Sequence, residues 1–314
     1  MEREPPARSS LPHPRRGAAW LARQGAKDRA ALLVMLAPYL IGTAVLVVVP
    51  ALLSLVIAFT RYDALGAPVW VGLDNFRALG EDSLFWTAVR NSLVFVLLAV
   101  PLRVLGALAL ALLLQRPGRG VGLFRMAVFF PTVVPDVAYA LIWLWIFNPV
   151  YGPLNLALEA LGLPVSPWLA EGSTALLAIV IMAAFQIGEG FVVLLAGLQN
   201  VPEEYYQSAA LDGARRWQQF RFITLPLLAP WLLLLTLRDV ILSAQNTFTP
   251  AFLMTGGGPY YATLFLPLRM YQEAFDSFRF GTAAAMMLLL LLGVGLLLLL
   301  VYRVVRGWGY SDEQ

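Results

Sequence analysis

Apolar residues fall along this chain in six long blocks, and the polar residues collect between them. A helix that crosses a bilayer needs about 20 predominantly apolar residues. Six segments meet that length: about Ala30 to Phe59, Asn91 to Leu114, Leu123 to Phe147, Thr174 to Gln199, Thr224 to Gln245 and Thr282 to Val304. The fifth is interrupted by polar residues, and the sixth is an almost unbroken leucine run. The pattern predicts an all-α, polytopic membrane protein with six transmembrane helices over residues 30–306. A tail over residues 1–29, rich in Arg, Pro and Ala, has neither helical nor strand period and is expected to be disordered. Residues 307–314 form a short C-terminal tail. The first apolar block is far longer than the roughly 7–15 residues of a signal-peptide core, so the start reads as a span.

Composition supports the bilayer as solvent. Of 314 residues, 60% are hydrophobic and 13% charged, with a mean hydropathy of +0.73. That is half of the roughly 25% charge of a soluble domain, too little to coat a globule. The Lys and Arg residues are distributed unevenly. With a cytoplasmic N-terminus, 15 of the 22 lie in cytoplasmic segments and five (Arg61, Arg77, Arg90, Arg269, Arg279) lie outside. The bias puts both termini in the cytoplasm of a multi-pass plasma-membrane protein. The net charge of +3 is therefore a topology signal, with no basic stripe for nucleic acid outside the tail. The chain has no Cys and a single His, His13 in the tail, which removes thiol nucleophiles, Ser-His-Asp triads and Cys/His metal sites. The single Lys, Lys27, sits in no phosphate-cradling loop, so an ATP-driven step needs another polypeptide. No cofactor and no metal are expected.

Ionisable and amide groups inside the spans are the candidate functional residues, because they face a partner or a wet cavity by default. Arg103 and Asp136 lie at similar depth and are expected to pair, with Arg238 and Asp239 as alternative partners. Gln186 and Glu189 are three residues apart, a spacing that puts them on one helix face, and Gly188 and Gly190 flank Glu189. Gln245, Asn246 and Thr247 close the fifth span. Such groups either line a pathway or satisfy one another within the bundle. A phosphate cargo would want a cation in the path, and Arg103 and Arg238 are the spanning candidates. The connection from Asn246 to Gly281 carries Thr255-Gly256-Gly257-Gly258-Pro259-Tyr260-Tyr261, a turn signal. Its aromatics (Phe248, Phe252, Tyr260, Tyr261, Tyr271, Phe275) suit either an interfacial belt or the wall of a binding mouth.

The connection between spans four and five is the most informative. Pro202 suits a first helical position, and Glu203 and Glu204 come next, where the helix dipole favours carboxylates. Ser208, Ala209 and Ala210 then offer a small-faced surface, and Gly213 can end the helix. Trp217, Phe220 and Phe222 can anchor the second segment of this connection to the membrane or the helix bundle. From physics alone, an interfacial helix without a partner and a docking helix are equally compatible.

The run Gln207-Ser208-Ala209, Asp212-Gly213-Ala214, then Ile223, Leu225 and Pro226 resembles the signature loop of binding-protein-dependent ABC importer permeases, with Gln207 for the usual Glu and Ser208 for the first Ala. Further segments resemble the carbohydrate branch: Val71-Gly72-Leu73-Asp74-Asn75-Phe76, Phe124 to Pro131, Ala140-Leu141-Ile142-Trp143, Leu195-Ala196-Gly197-Leu198-Gln199 and Thr255 to Pro259. The resemblance implies a permease subunit without catalytic activity of its own. Its coupling helix would dock on a separate ATPase through Glu203, Glu204, Gln207, Ser208, Ala209, Asp212, Gly213 and Ala214. It implies a sugar pathway at mid-membrane, to which Gln186, Glu189, Gln245, Asn246 and Thr247 correspond. The implied partners are a second homologous permease, two ATP-binding-cassette ATPase subunits, an extracytoplasmic sugar-binding protein, the sugar itself and membrane lipid. An ion-coupled secondary transporter, with Asp136, Glu189 or Asp239 as proton relays, is the alternative. A membrane transferase would need an acidic metal cluster that Glu203, Glu204 and Asp212 do not form in sequence.

Overall fold

A computed structural model describes residues 32–306, so the N-terminal tail of residues 1–29 and the C-terminal tail of residues 307–314 lie outside the described residues. The chain divides into two units at Val56 and Ile57. All but the last residue of α1, Leu32–Ile57, a continuous apolar helix, belongs to the first. Pro50 lacks the N–H that would reach back one turn, and the turn before it, Ala44–Val48, is widened.

The second unit begins with a short antiparallel hairpin, β1 (Thr60–Arg61) and β2 (Val69–Trp70). Helix α2, Asp74–Glu81, comes next, and Asn75 Nδ2 donates to the carbonyls of Ala58 and Thr60 at 2.9 Å each. Helix α3, Ser83–Leu114, starts eight residues before the expected span. Asp82 caps it by accepting the Leu84 amide at 2.8 Å. Its far end is closed by Arg125, whose Nη2 donates to the carbonyls of Leu114 at 2.6 Å and Gln115 at 3.2 Å.

The third expected span is not one straight helix. It is α4, Val121–Val133, and α5, Asp136–Ile146, meeting at 105°. Pro131 tightens the last turn of α4, and Pro135 cannot continue it. After α6, Pro153–Ala160, the fourth span is also broken: α7, Gly172–Ala184, and α8, Gly188–Gln199, are bent by 44° across Phe185–Ile187. Then come α9, Glu203–Leu211, and α10, Arg216–Thr255. Helix α10 widens at Phe220–Thr224, one turn before Pro226, the same device as in α1, and loosens at Asn246, one turn before Pro250. The chain closes with α11, Leu266–Tyr271, and α12, Phe280–Arg306. Four of these helices are long and apolar enough to cross a membrane, or up to six spans if each bent pair counts as one. The protein is thus mainly helical, as its apolar blocks predict.

Helix α3 is the centre of the second unit. One side packs Ala107, Leu108 and Ala111 against Phe191, Leu194 and Leu198 of α8 and Leu228 and Leu235 of α10. Another packs Phe95, Ala99 and Val100 with α7, α11 and α12, including Ile179, Leu268, Ala285 and Met286. Alanine is frequent at these contacts because, in lipid, close backbone approach replaces hydrophobic exclusion as the source of attraction. A third cluster joins Tyr139, Trp143 and Phe147 to Ala178 and Met182 of α7. The buried Tyr139 hydroxyl donates to the Met182 carbonyl at 2.9 Å, satisfying a group in the last turn of α7.

The two breaks meet. A Cβ on Gly188 would lie 2.8 Å from the Phe129 Cα and 2.9 Å from both the Val128 carbonyl and the Thr132 side chain. Only glycine lets the start of α8 approach the end of α4 this closely.

Candidate functional site

Helix α9 is nine residues long and has no buried residue. Pro202 precedes it and Glu203 and Glu204 fill its first turn. Gln207, Ser208 and Asp212 are exposed, while Ala209 and Ala214 are partly covered. The helix ends as the sequence predicts: Gly213 takes φ +78°, and the amides of Gly213 and Ala214 bond the carbonyls of Ala210 and Ala209 at 3.1 and 2.9 Å. One side-chain bond ties α9 to its neighbour, Tyr206 Oη to Thr224 Oγ1 at 2.9 Å, at the foot of α10. Leu211 at its tip is 90% exposed. The Arg215 amide donates to Gln218 Oε1 at 2.7 Å, and Trp217 stacks near Phe220, which turns the chain into α10.

The second group of residues lies among α3, α8 and α10. Arg103 does not pair with Asp136. Its Nε lies 3.0 Å from Asp239 Oδ2, and its Nη2 donates to Ser243 Oγ. Asp239 and Ser243 are one turn apart on α10, so both reach the same guanidinium. Asp136 is exposed at the start of α5, just past the break, and enters no ion pair among the described residues. The expected pairing assumed a straight third span, and that span is bent by 105° between Val133 and Asp136.

Gln186 and Glu189 do not share a helix face, because Gln186 sits in the break and Glu189 in the first turn of α8. They are nevertheless brought together, lining one small pocket with Arg103, Arg238 and Asp239. Glu189 Oε2 accepts from Arg238 Nη2. The two ion pairs differ in kind. The side chains of Arg103 and Asp239 are 13% and 10% exposed, whereas Arg238 and Glu189 are 43% and 54% exposed. Gln245, Asn246 and Thr247 lie about two turns farther along α10. Gln245 and Asn246 are exposed, and Thr247 is buried, its hydroxyl without a hydrogen-bond partner. The Glu189–Arg238 contact was not readable in advance. The adjacent Arg238 and Asp239 in an apolar span were its only signal.

At the other end of α3 a charged network ties the Asn246–Gly281 connection to the α3 cap. Arg269 Nη2 bridges Asp82 at 3.0 Å and Glu273 at 2.8 Å, and Arg279 reaches Glu273 at 2.7 Å. Burial pushes the Asp82 carboxyl up, but the Arg269 hydrogen bond and charge and the Leu84 amide outweigh it and hold the group below the usual carboxylate range. Four of the six aromatics in this connection form a continuous cluster: Phe248 and Phe252 stack at 5.4 Å, Tyr271 lies 5.2 Å from Phe248, and Phe275 lies 5.1 Å from Tyr271. Tyr260 and Tyr261 stand apart in the glycine turn, exposed.

Residues 91–307 match the profile of the family described as binding-protein-dependent transport system inner membrane component. The chain is 35% identical over 293 residues to the probable ABC transporter permease protein YesP of Bacillus subtilis, covering 92% of this chain and 94% of that one. It is 33% identical over 254 residues to the sn-glycerol-3-phosphate transport system permease protein UgpA of Agrobacterium fabrum, covering 80% and 86%. In fold it resembles a chain of the bacterial alginate ABC transporter crystallised with an alginate pentasaccharide-bound periplasmic protein. The TM-score is 0.78 at 21% identity, over 92% of this chain and 98% of that one.

Proposed function

This chain belongs to the binding-protein-dependent transport system inner membrane components, the permease subunits of ABC transporters, and from that premise we propose that it forms half of the translocation pathway of an ATP-driven sugar importer. It is a multi-pass membrane protein. In this reading residues 30–306 form the permease domain with six spans, two of them the broken pairs. Residues 1–29 and 307–314 are cytoplasmic tails. Relatives named as an sn-glycerol-3-phosphate permease and a probable starch degradation products permease support the cargo class.

The observation that carries the coupling half of the proposal is α9: an isolated helix with no buried side chain, tethered by Tyr206 to the foot of α10. A helix this bare gains little from its own chain, so its stability and its small-faced surface point to a docking partner. Glu203, Glu204, Gln207, Ser208, Ala209, Asp212, Gly213 and Ala214 would meet the groove of an ATPase subunit. Because α9 is joined by short turns to α8 before it and α10 after it, a push on α9 would reach both helices that carry Glu189 and Arg238. Gln186, Glu189, Gln245 and Asn246 would present hydrogen-bonding groups to sugar hydroxyls, with the buried Thr247 behind them. A second permease completes the path, and a binding protein delivers sugar to the outer face. ATP can bias the pathway only by binding its two states differently. All chemistry of ATP hydrolysis would reside in the partner subunits.

The absence of cysteine from the natural sequence makes the test direct. Ala209→Cys in the purified assembly is expected to crosslink to a nucleotide-hydrolysing subunit. Modification by lipid or water-soluble reagent alone, with no such companion in the assembly, overturns the proposal.

A further inference from the structure

The pocket among α3, α8 and α10 holds two cations that are used differently, and the difference bears on cargo. Arg103 is buried and spoken for by Asp239 and Ser243. Arg238 is half-exposed and engages a single carboxylate oxygen, Glu189 Oε2, through Nη2. A guanidinium presents five N–H donors in a fork that fits an oxyanion through two parallel bonds. Among the described residues, Nε and Nη1 of Arg238 have no side-chain acceptor. A half-exposed charge at mid-span is expected to face a water-filled path or a neighbouring subunit, because an ionisable group is costly in lipid. Glu189 sits beside it on the loosened start of α8, held from one side only, so it can leave without breaking a helix turn.

We propose that Arg238 is the anion-recognition point of the pathway and that the cargo is a carbohydrate bearing an acidic group, a carboxylate or a phosphate. Glu189 occupies the place of that acid in the empty pathway and yields it when cargo arrives. The proposal rests on the importer reading above and adds the cargo's charge to it. It distinguishes Arg238 from a simple latch between α8 and α10. In a latch, neutralising either partner breaks the same bond and has the same effect. In an exchange of anions the two substitutions act in opposite directions.

The test is uptake by the complete importer in proteoliposomes. The probes are a mannuronate trisaccharide and sn-glycerol 3-phosphate, each beside its uncharged counterpart, the carboxyl-reduced trisaccharide and glycerol, with maltotriose as a further neutral sugar. At least one acidic probe is expected to enter while its uncharged counterpart does not. Arg238→Gln is expected to raise the KM for that acid more than about tenfold, the scale of a lost charge-assisted hydrogen bond. Arg238→Lys should restore part of the loss, which excludes a folding defect, and Glu189→Gln should lower the KM. Equal uptake of an acid and its uncharged counterpart, uptake confined to uncharged sugars, or parallel losses in Arg238→Gln and Glu189→Gln each overturn the acid-cargo proposal and leave the importer standing. Absence of ATP-driven uptake of every sugar overturns the importer itself, and this proposal with it.

Discussion

Asp82 does two jobs with one carboxylate. Oδ1 accepts the Leu84 amide and caps α3, while Oδ2 takes the Arg269 guanidinium from a connection nearly 190 residues away in sequence. Its pKa in the folded chain lies below its unfolded value, so it is charged in the folded state where the unfolded chain would already begin to bind a proton. The stability it contributes is therefore fully present above the ordinary carboxylate value of ~3.9 and is lost as pH falls through the lower folded value. Thermal unfolding of the detergent-solubilised protein should show a midpoint that drops on acidification through that window. Asp82→Asn should flatten the drop. A variant with the full wild-type acid response would show that the network adds nothing. Glu273, 1% exposed between Arg269 and Arg279, makes the network more than a surface pair, because a buried carboxylate left with one partner is costly.

At the scale of elements, α9 depends on how it stops. Gly213 sits at φ +78°, where a Cβ costs about 1 kcal/mol. Nothing lies within 4 Å of the Cβ that would be added there, so Gly213→Ala strains the backbone without a clash. The expected result is a lower ratio of sugar imported to ATP hydrolysed in reconstituted vesicles, with the ATPase itself intact. An unchanged ratio would remove the helix terminus from the coupling path. This terminus was legible in the sequence, as were the Pro202 start and the acidic first turn, because capping is local chemistry. The long spans were legible too, from apolar length alone. The breaks were not. Pro131 and Pro135 announce an interruption but carry no information on its angle, and Phe185–Ile187 contains no proline at all. Every inference that assumed straight spans failed with them: the Arg103–Asp136 pairing and the shared face of Gln186 and Glu189. Arg103 with Asp239 and Glu189 with Arg238 are contacts between elements far apart in sequence, and depth counting cannot choose among partners at one level.

For the whole molecule, the testable property is sidedness. The Lys and Arg bias and the coupling proposal both predict a cytoplasmic α9, and the glycine turn lies by the start of α3, where Asn91 Nδ2 donates to the Tyr261 carbonyl at 2.8 Å. Leu211 and Tyr260 are 90% and 97% exposed, and the cysteine-free sequence permits single labels. In intact cells, Tyr260→Cys should react with a membrane-impermeant maleimide and Leu211→Cys should react only after lysis. The reverse pattern would invert the protein and detach α9 from any cytoplasmic ATPase.

The meeting of the two broken spans at Gly188 carries a genealogical consequence. The hydrogen that stands in for a side chain there is what admits the Val128–Thr132 stretch, so any larger residue at this position must push the two stretches apart. A lineage that trades the glycine away is expected to change the Val128–Thr132 stretch as well, so the two regions should vary together when cousins are aligned.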